Sequence, residues 1–225
     1  MDAKIKDLLI QLQPLPKYQF ERRIDIFILS EIEEVFSKIY GEKIYFLYPE
    51  FPLSNLKLPK GKPIVKMSLD EIHNLEKTDT NQNTNVDYLL ASANTFYFVE
   101  LKTDLHSVDK DSQLIYYAHY SNKNFSELYN FFKYNLANGK NQNKKWKTGL
   151  EYLLDKYLHS FNQHLEHSLN KEIKIVYLGP DKIESKLQNV NQILGKDIFT
   201  SVTFKQFNKH VSDIDLQEIL TIISK

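Results

Sequence analysis

Residues 86–102 read VDYLLASANTFYFVELK, and the fold turns on how this stretch is arranged. Two apolar runs, 86–91 and 96–101, flank the polar link Ser92-Ala93-Asn94-Thr95, which predicts a β-hairpin. Side chains alternate along a strand, so Glu100 and Lys102 share one face while Leu101 points to the other. A hairpin symmetric about Ala93 and Asn94 sets Asp87 directly across from Glu100, with Cβ atoms about 5 Å apart. Two carboxylates at that spacing repel by roughly 3 kcal/mol at an effective dielectric near 20. The sheet then needs a compensating cation, a shared proton or solvent. Magnesium, a hard ion that favours carboxylate and carbonyl oxygen, suits the gap. Lys102 stands beside it, able to position or deprotonate a water or to hold a phosphate.

An acid two residues before a lysine is a common pattern, and this chain has it four times: Asp2-Ala3-Lys4, Glu100-Leu101-Lys102, Glu172-Ile173-Lys174 and Glu184-Ser185-Lys186. Only the second ends an apolar strand and has an acid placed opposite it by a hairpin. The plain alternatives are a strand-edge Asp87 facing water and an ordinary salt bridge between Glu100 and Lys102, worth little on a surface.

Outward from the hairpin, the chain alternates helical and strand patterns. Residues 3–13 form a short amphipathic stretch that ends at Pro14-Leu15-Pro16. Ile24, Ile28, Ile32, Val35, Phe36 and Ile39 recur at helical spacing over residues 21–40, and Gly41 supplies a stop. Residues 43–48 read as a strand. Residues 49–85, punctuated by prolines, read as an insertion with one short helix near 69–76 and an exposed loop. After the hairpin, Asp109 is placed to cap a helix carrying Gln113, Ile115, Tyr116 and Tyr117. Helices are expected at 126–136 and 148–167, joined by a basic run at 138–147. A strand at 173–178, a helix at 182–194, a strand at 198–204 and one or two C-terminal helices finish the chain. The order predicts an α/β layered architecture with a central mixed sheet flanked by helices. It is read as a single domain over residues 1–225, with a core of about 20–120 plus 170–205 and a helical insertion at about 121–168.

Two further positions bear on the hairpin. At 100° per residue, Glu31 falls within about 60° of the centre of the apolar stripe on the first long helix, whereas Glu33 points away and Glu34 lies at the edge. A carboxylate inside a buried stripe is costly unless paired or metal-bound, although a long side chain also reaches solvent. Gln113 and Tyr117 are four apart and share a helix face that can return toward the strand ends. Their plain alternative is a packed core. The basic run with Trp146 offers cations for phosphate and a ring for stacking, or simply a solvated loop. His159, His164 and His167 do not share one helix face, and no Gly-x-Ser-x-Gly turn supports a serine triad.

Glu31, Val86-Asp87, Glu100-Leu101-Lys102 and Gln113-x-x-x-Tyr117 together resemble the PD-(D/E)XK nuclease superfamily, in particular members with a Gln-x-x-x-Tyr motif after the lysine. The resemblance covers roughly residues 21–120, and Val86 stands where the family's proline gives it its name. It implies a restriction-endonuclease-like fold and a metal-dependent nuclease using Mg2+, with Mn2+ as a substitute. Asp87, Glu100 and the Leu101 backbone carbonyl would be metal ligands, with Glu31 as an additional acid toward the metal and Glu34 as its alternate. Lys102 would assist the nucleophilic water, and Gln113 and Tyr117 would orient substrate or catalytic groups. The implied partner is nucleic acid, DNA first, with a homodimer as an admissible assembly. The alternative is a nuclease-fold module without turnover that binds nucleic acid or protein.

Composition sets the outer bounds. Apolar residues make up 42% and aromatics 13% of the 225 residues, which argues for a folded chain with a real core. Lys+Arg and Asp+Glu balance at 29 each, so nucleic-acid binding would have to come from a local patch. With no cysteine there is no disulfide framework and no thiolate metal site, which fits a reducing compartment and a cytoplasmic location. No stretch is long and apolar enough for a membrane span, and the apolar Leu8-Leu9-Ile10 is too short for a signal segment.

Overall fold

The computed structural model describes residues 17–53, 55–59, 63–78, 84–109, 111–128, 130 and 171–224. The stretch 3–13, the basic run 138–147 with Trp146, residues 131–136 of one expected helix, and the expected helix 148–167 with His159, His164 and His167 lie outside them. The fold is α/β. A five-stranded mixed sheet runs in the order β1-β4-β5-β6-β7, from Tyr45–Leu53, Thr84–Ala91, Thr95–Leu101, Glu172–Gly179 and Phe199–Thr203. Helices flank it: α1 Lys17–Tyr40, α2 Leu69–His73, α3 Asp111–Tyr120, α4 Ile183–Leu194, α5 Phe204–Asn208 and α6 Ile214–Ile223. A small ribbon pairs β2 (Asn55–Leu56) with β3 (Lys77–Thr78). The described residues fall into two compact units, one within Met1–Ile44, Glu100–Lys110 and Val176–Lys225, the other within Tyr45–Val99 and Asp111–Ile175.

In the unit built on residues 45–99 and 111–175, the hairpin forms with the expected register. Tyr88 pairs with Val99, Leu89 with Phe98, Leu90 with Tyr97 and Ala91 with Phe96. The turn is held by Ser92, whose N–H donates to the Thr95 carbonyl at 2.9 Å and whose hydroxyl accepts from the Thr95 N–H at 3.2 Å. Every residue of β5 is buried, so both faces of this strand are covered, the pattern of a continuous apolar run rather than an alternating one. Phe96 stacks on Phe125 with ring centroids 3.9 Å apart, and Phe51 lies against both Phe98 and Phe125. Ser68 and Glu71 close a capping box on α2, which is why so short a helix starts where it does.

Two expectations change here. Residues 49–53 are strand rather than insertion: β1 runs through Pro49 and Pro52 to Leu53 and pairs antiparallel with β4. It is the outer strand of the sheet, where a proline's missing N–H costs no ladder bond if it faces outward. The strand carries a register irregularity between Phe46 and Tyr48 and a positive φ of 48° at Glu50. Asp109 closes a 3-10 turn, His106–Asp109, and the helix bearing Gln113 starts at Asp111.

In the other unit, Ile24, Ile28, Ile32, Val35 and Phe36 of α1 are fully buried, as the periodicity predicted, and Gly41 ends the helix at φ 68°. Phe36 meets Phe207 of α5 edge-on at 6.2 Å. Buried Asn191 ties α4 to β7. Its amide donates to the Phe199 carbonyl at 2.8 Å, and its oxygen accepts from the Ile198 and Phe199 N–H groups at 3.1 and 3.0 Å. That satisfies both ends of an amide that would otherwise be costly to bury.

Candidate functional site

The apolar run of β5 carries Glu100 to the end of a strand with no solvent-facing side. Lys102, two residues on, falls on the same face. The structure joins them: Lys102 Nζ donates to Glu100 Oε1 at 2.7 Å, and each side chain is only 5% exposed. A charge-assisted bond this short is strong, yet the pair has been taken out of water at a cost of several kcal/mol per ion. Hydrophobic residues of similar volume often serve stability as well as a buried ion pair does, or better. The pair is therefore weak evidence of a stabilising contact.

The backbone around it is fixed from one side. The Lys102 N–H donates to the Leu178 carbonyl of β6 at 2.8 Å, and Leu101 between the two charges is buried. Beyond Lys102 the chain turns. Asp104 Oδ1 accepts from the N–H groups of His106 at 2.7 Å and Ser107 at 3.1 Å, opening the 3-10 turn that follows. Lys186 of α4, half-buried, donates to the Leu105 carbonyl at 2.7 Å and straps that turn.

Asp87 stands half-buried in β4, beside Tyr88. The observed hairpin pairs end at Tyr88 and Val99, one residue short of the expected pairing of Asp87 with Glu100. On its other edge β4 pairs with β1, where Pro49 meets Tyr88 and Phe51 meets Val86. Exposed Glu50 lies between those two pairs, at the register position across from Asp87. Sequence reasoning missed Glu50 because its strand was read as an insertion.

Gln113 and Tyr117 meet on α3, with Gln113 Nε2 donating to the Tyr117 hydroxyl at 3.4 Å. Fully buried Tyr117 in turn donates to the Asn85 carbonyl at 3.3 Å. This places the Gln-x-x-x-Tyr face on β4 two residues before Asp87. Neighbouring Tyr116 turns elsewhere, its hydroxyl accepting from the Leu56 N–H at 3.1 Å.

Glu31 is half-buried on α1, and both its oxygens accept from Ser212, from the backbone N–H at 3.1 Å and from the hydroxyl at 2.9 and 3.0 Å. Its described role is to anchor the loop that leads into α6. Glu34 is exposed and bonded to Lys38, whose ammonium holds the carboxyl below its ordinary range. Among the described residues no group of three or more His, Asp or Glu side chains is gathered to hold a metal ion. Magnesium does not require such a cage, since one or two carboxylates, waters and a substrate phosphate suffice.

Searches for related proteins return nothing: no protein-family model, no curated protein and no solved structure matches the chain. No described helix is long and apolar enough to cross a membrane.

Proposed function

We propose that this protein is a metal-dependent nuclease of PD-(D/E)XK type that hydrolyses phosphodiester bonds, with DNA as the expected substrate. The observation that carries the reading is the Glu100–Lys102 pair, a salt bridge of 2.7 Å sealed at the end of an apolar strand. A buried ion pair is weak evidence for stability, and a chemical use for the two charges is the reading supported here. The reading requires Asp87 opposite Glu100, one step beyond the observed Tyr88–Val99 pair. Asp87, Glu100 and the Leu101 carbonyl would then hold a Mg2+ or Mn2+ ion. When bound, the ion supplies a water of lowered pKa and neutralises charge building on the phosphate.

The chain's own groups do the rest. The Lys102 ammonium has three donors, and one is spent on Glu100 Oε1. Held there, the ammonium would position a phosphate oxygen or the attacking water. Gln113 and Tyr117 brace β4 ahead of Asp87 and so orient that carboxylate. Glu31 has no part in the chemistry as proposed, its carboxylate being engaged by Ser212.

Linear, circular and single-stranded DNA, and RNA, incubated with magnesium, manganese or chelator test the proposal. Cleavage is expected with either ion, and loss of it with chelator, with Asp87→Ala and with Lys102→Ala. Cleavage that survives Asp87→Ala combined with Lys102→Ala defeats it. The balance of 29 Lys+Arg against 29 Asp+Glu favours a second reading, a nuclease-fold module that binds without turnover. Calorimetry with magnesium, manganese and calcium separates the two. No heat at millimolar ion, with nucleic-acid binding indifferent to chelator, selects the module.

A further inference from the structure

Gly179 ends β6 where the strand closes on Lys102, and the backbone of Lys102 leaves no room there for a side chain. A Cβ placed on it would sit 2.6 Å from Ile183 Cδ1, 2.9 Å from the Lys102 carbonyl oxygen and 3.5 Å from Lys102 Cβ. The residue before it already grips the same place, the Leu178 carbonyl accepting from the Lys102 N–H at 2.8 Å. The two obstacles differ in kind. Ile183 Cδ1 is the far end of a buried side chain and can rotate or be trimmed. The Lys102 carbonyl is main chain and moves only if the lysine moves with it.

We propose that Gly179 is a positioning residue for Lys102. Having no side chain, it lets β6 seat the lysine backbone at the height from which Nζ reaches Glu100 Oε1. A methyl group at this position pushes the Lys102 main chain away from β6. The displacement is carried along the four-carbon stem to the ammonium, which leaves its place beside Glu100. The inference rests on the reading that Lys102 takes part in catalysis, but the geometry it invokes does not.

The test pairs Gly179→Ala with Ile183→Val, which removes the Cδ1 atom and leaves the Lys102 carbonyl as the remaining obstacle. Ile183→Val alone is the reference. Two readouts are taken: steady-state cleavage of duplex DNA with magnesium, and the Lys102 ammonium signal in NMR of lysine-labelled protein, assigned with Lys102→Arg. The double variant is expected to melt below the reference, since crowding the Lys102 main chain and parting the Glu100–Lys102 pair both cost stability, and to keep its KM. Its kcat should fall on the order of tenfold to a hundredfold, as small misplacements of a reacting group do. The Lys102 signal should shift or exchange away. Unchanged kcat together with an unchanged Lys102 signal overturns the proposal, as does a large drop in melting temperature with that signal intact. If the native protein cleaves nothing while the signal still moves in the double variant, the nuclease reading fails and the positioning role stands.

Discussion

Glu100-Leu101-Lys102 at the end of β5 and Glu172-Ile173-Lys174 in β6 are the same pattern at two places in this protein, and in both the lysine bonds the acid. The β5 pair is 2.7 Å long with both side chains 5% exposed; the β6 pair is 3.3 Å long with its lysine 46% and its glutamate 63% exposed. The difference lies in what surrounds each tripeptide. Glu172 and Lys174 alternate with Ile173 and Ile175 at the start of a strand whose first residues show one face to water. Glu100 instead follows Phe96-Tyr97-Phe98-Val99 on a strand buried throughout. The motif alone does not distinguish an ornamental ion pair from one held at a cost. The run of residues before it does.

The largest expected effect breaks or keeps that contrast directly. Lys102→Ala should lower cleavage by about two to four orders of magnitude, the range for a positioned proton-transfer group. Lys174→Ala should leave it within about twofold, since an exposed pair contributes little. Equal losses in the two variants would erase the distinction between the strands. Next comes stability, read by urea unfolding. Lys102→Ala leaves Glu100 buried and unpaired and should cost ~3–5 kcal/mol. Glu100→Leu with Lys102→Met should be neutral or stabilising by up to ~4 kcal/mol and fully inactive. A destabilised double variant would mean that the pair is kept for the fold after all.

A smaller effect is expected at Tyr117→Phe, which removes the hydroxyl between Gln113 and the Asn85 carbonyl. About 1 kcal/mol of stability should go with it, with kcat reduced less than in Lys102→Ala. Fluorescence-monitored unfolding and steady-state rates check both.

His119 supplies the converse case, a buried ionisable group whose charged neighbours among the described residues are Lys123, Lys77 and His73. Its Nδ1–H donates to the Ile72 carbonyl at 2.8 Å. Burial lowers its pKa from the ordinary 6.5, the Ile72 bond acts the other way, and the nearby Lys123, Lys77 and His73 lower it further. Because the folded value lies below the unfolded one, this histidine's contribution is whole above about pH 6.5 and is lost as pH falls from there through the folded pKa. Urea midpoints should decline with acidification over that window. His119→Gln should flatten the decline, and an unchanged slope would exclude His119 as its source. The smallest effect is again Lys174→Ala, whose stability should change by less than about 1 kcal/mol.

What could be read from the chain alone was whatever local pattern controls. The α1 stripe, the hairpin with its register, and the meeting of Gln113 with Tyr117 follow from side-chain periodicity and turn chemistry. Prolines misled where position in the sheet overrode local preference: Pro49 and Pro52 sit in an outer strand that tolerates them. Non-local contacts left no trace in the sequence. The engagement of Glu31 by Ser212 joins residues far apart in the chain, and the approach of Gly179 to Lys102 joins two strands distant in sequence. The sequence by itself determined which residues lie on which face of each element, because the helical and strand periods are properties of the backbone. Only the tertiary structure decided which charges lose their water, because burial depends on what packs against a face, and that partner comes from elsewhere in the chain.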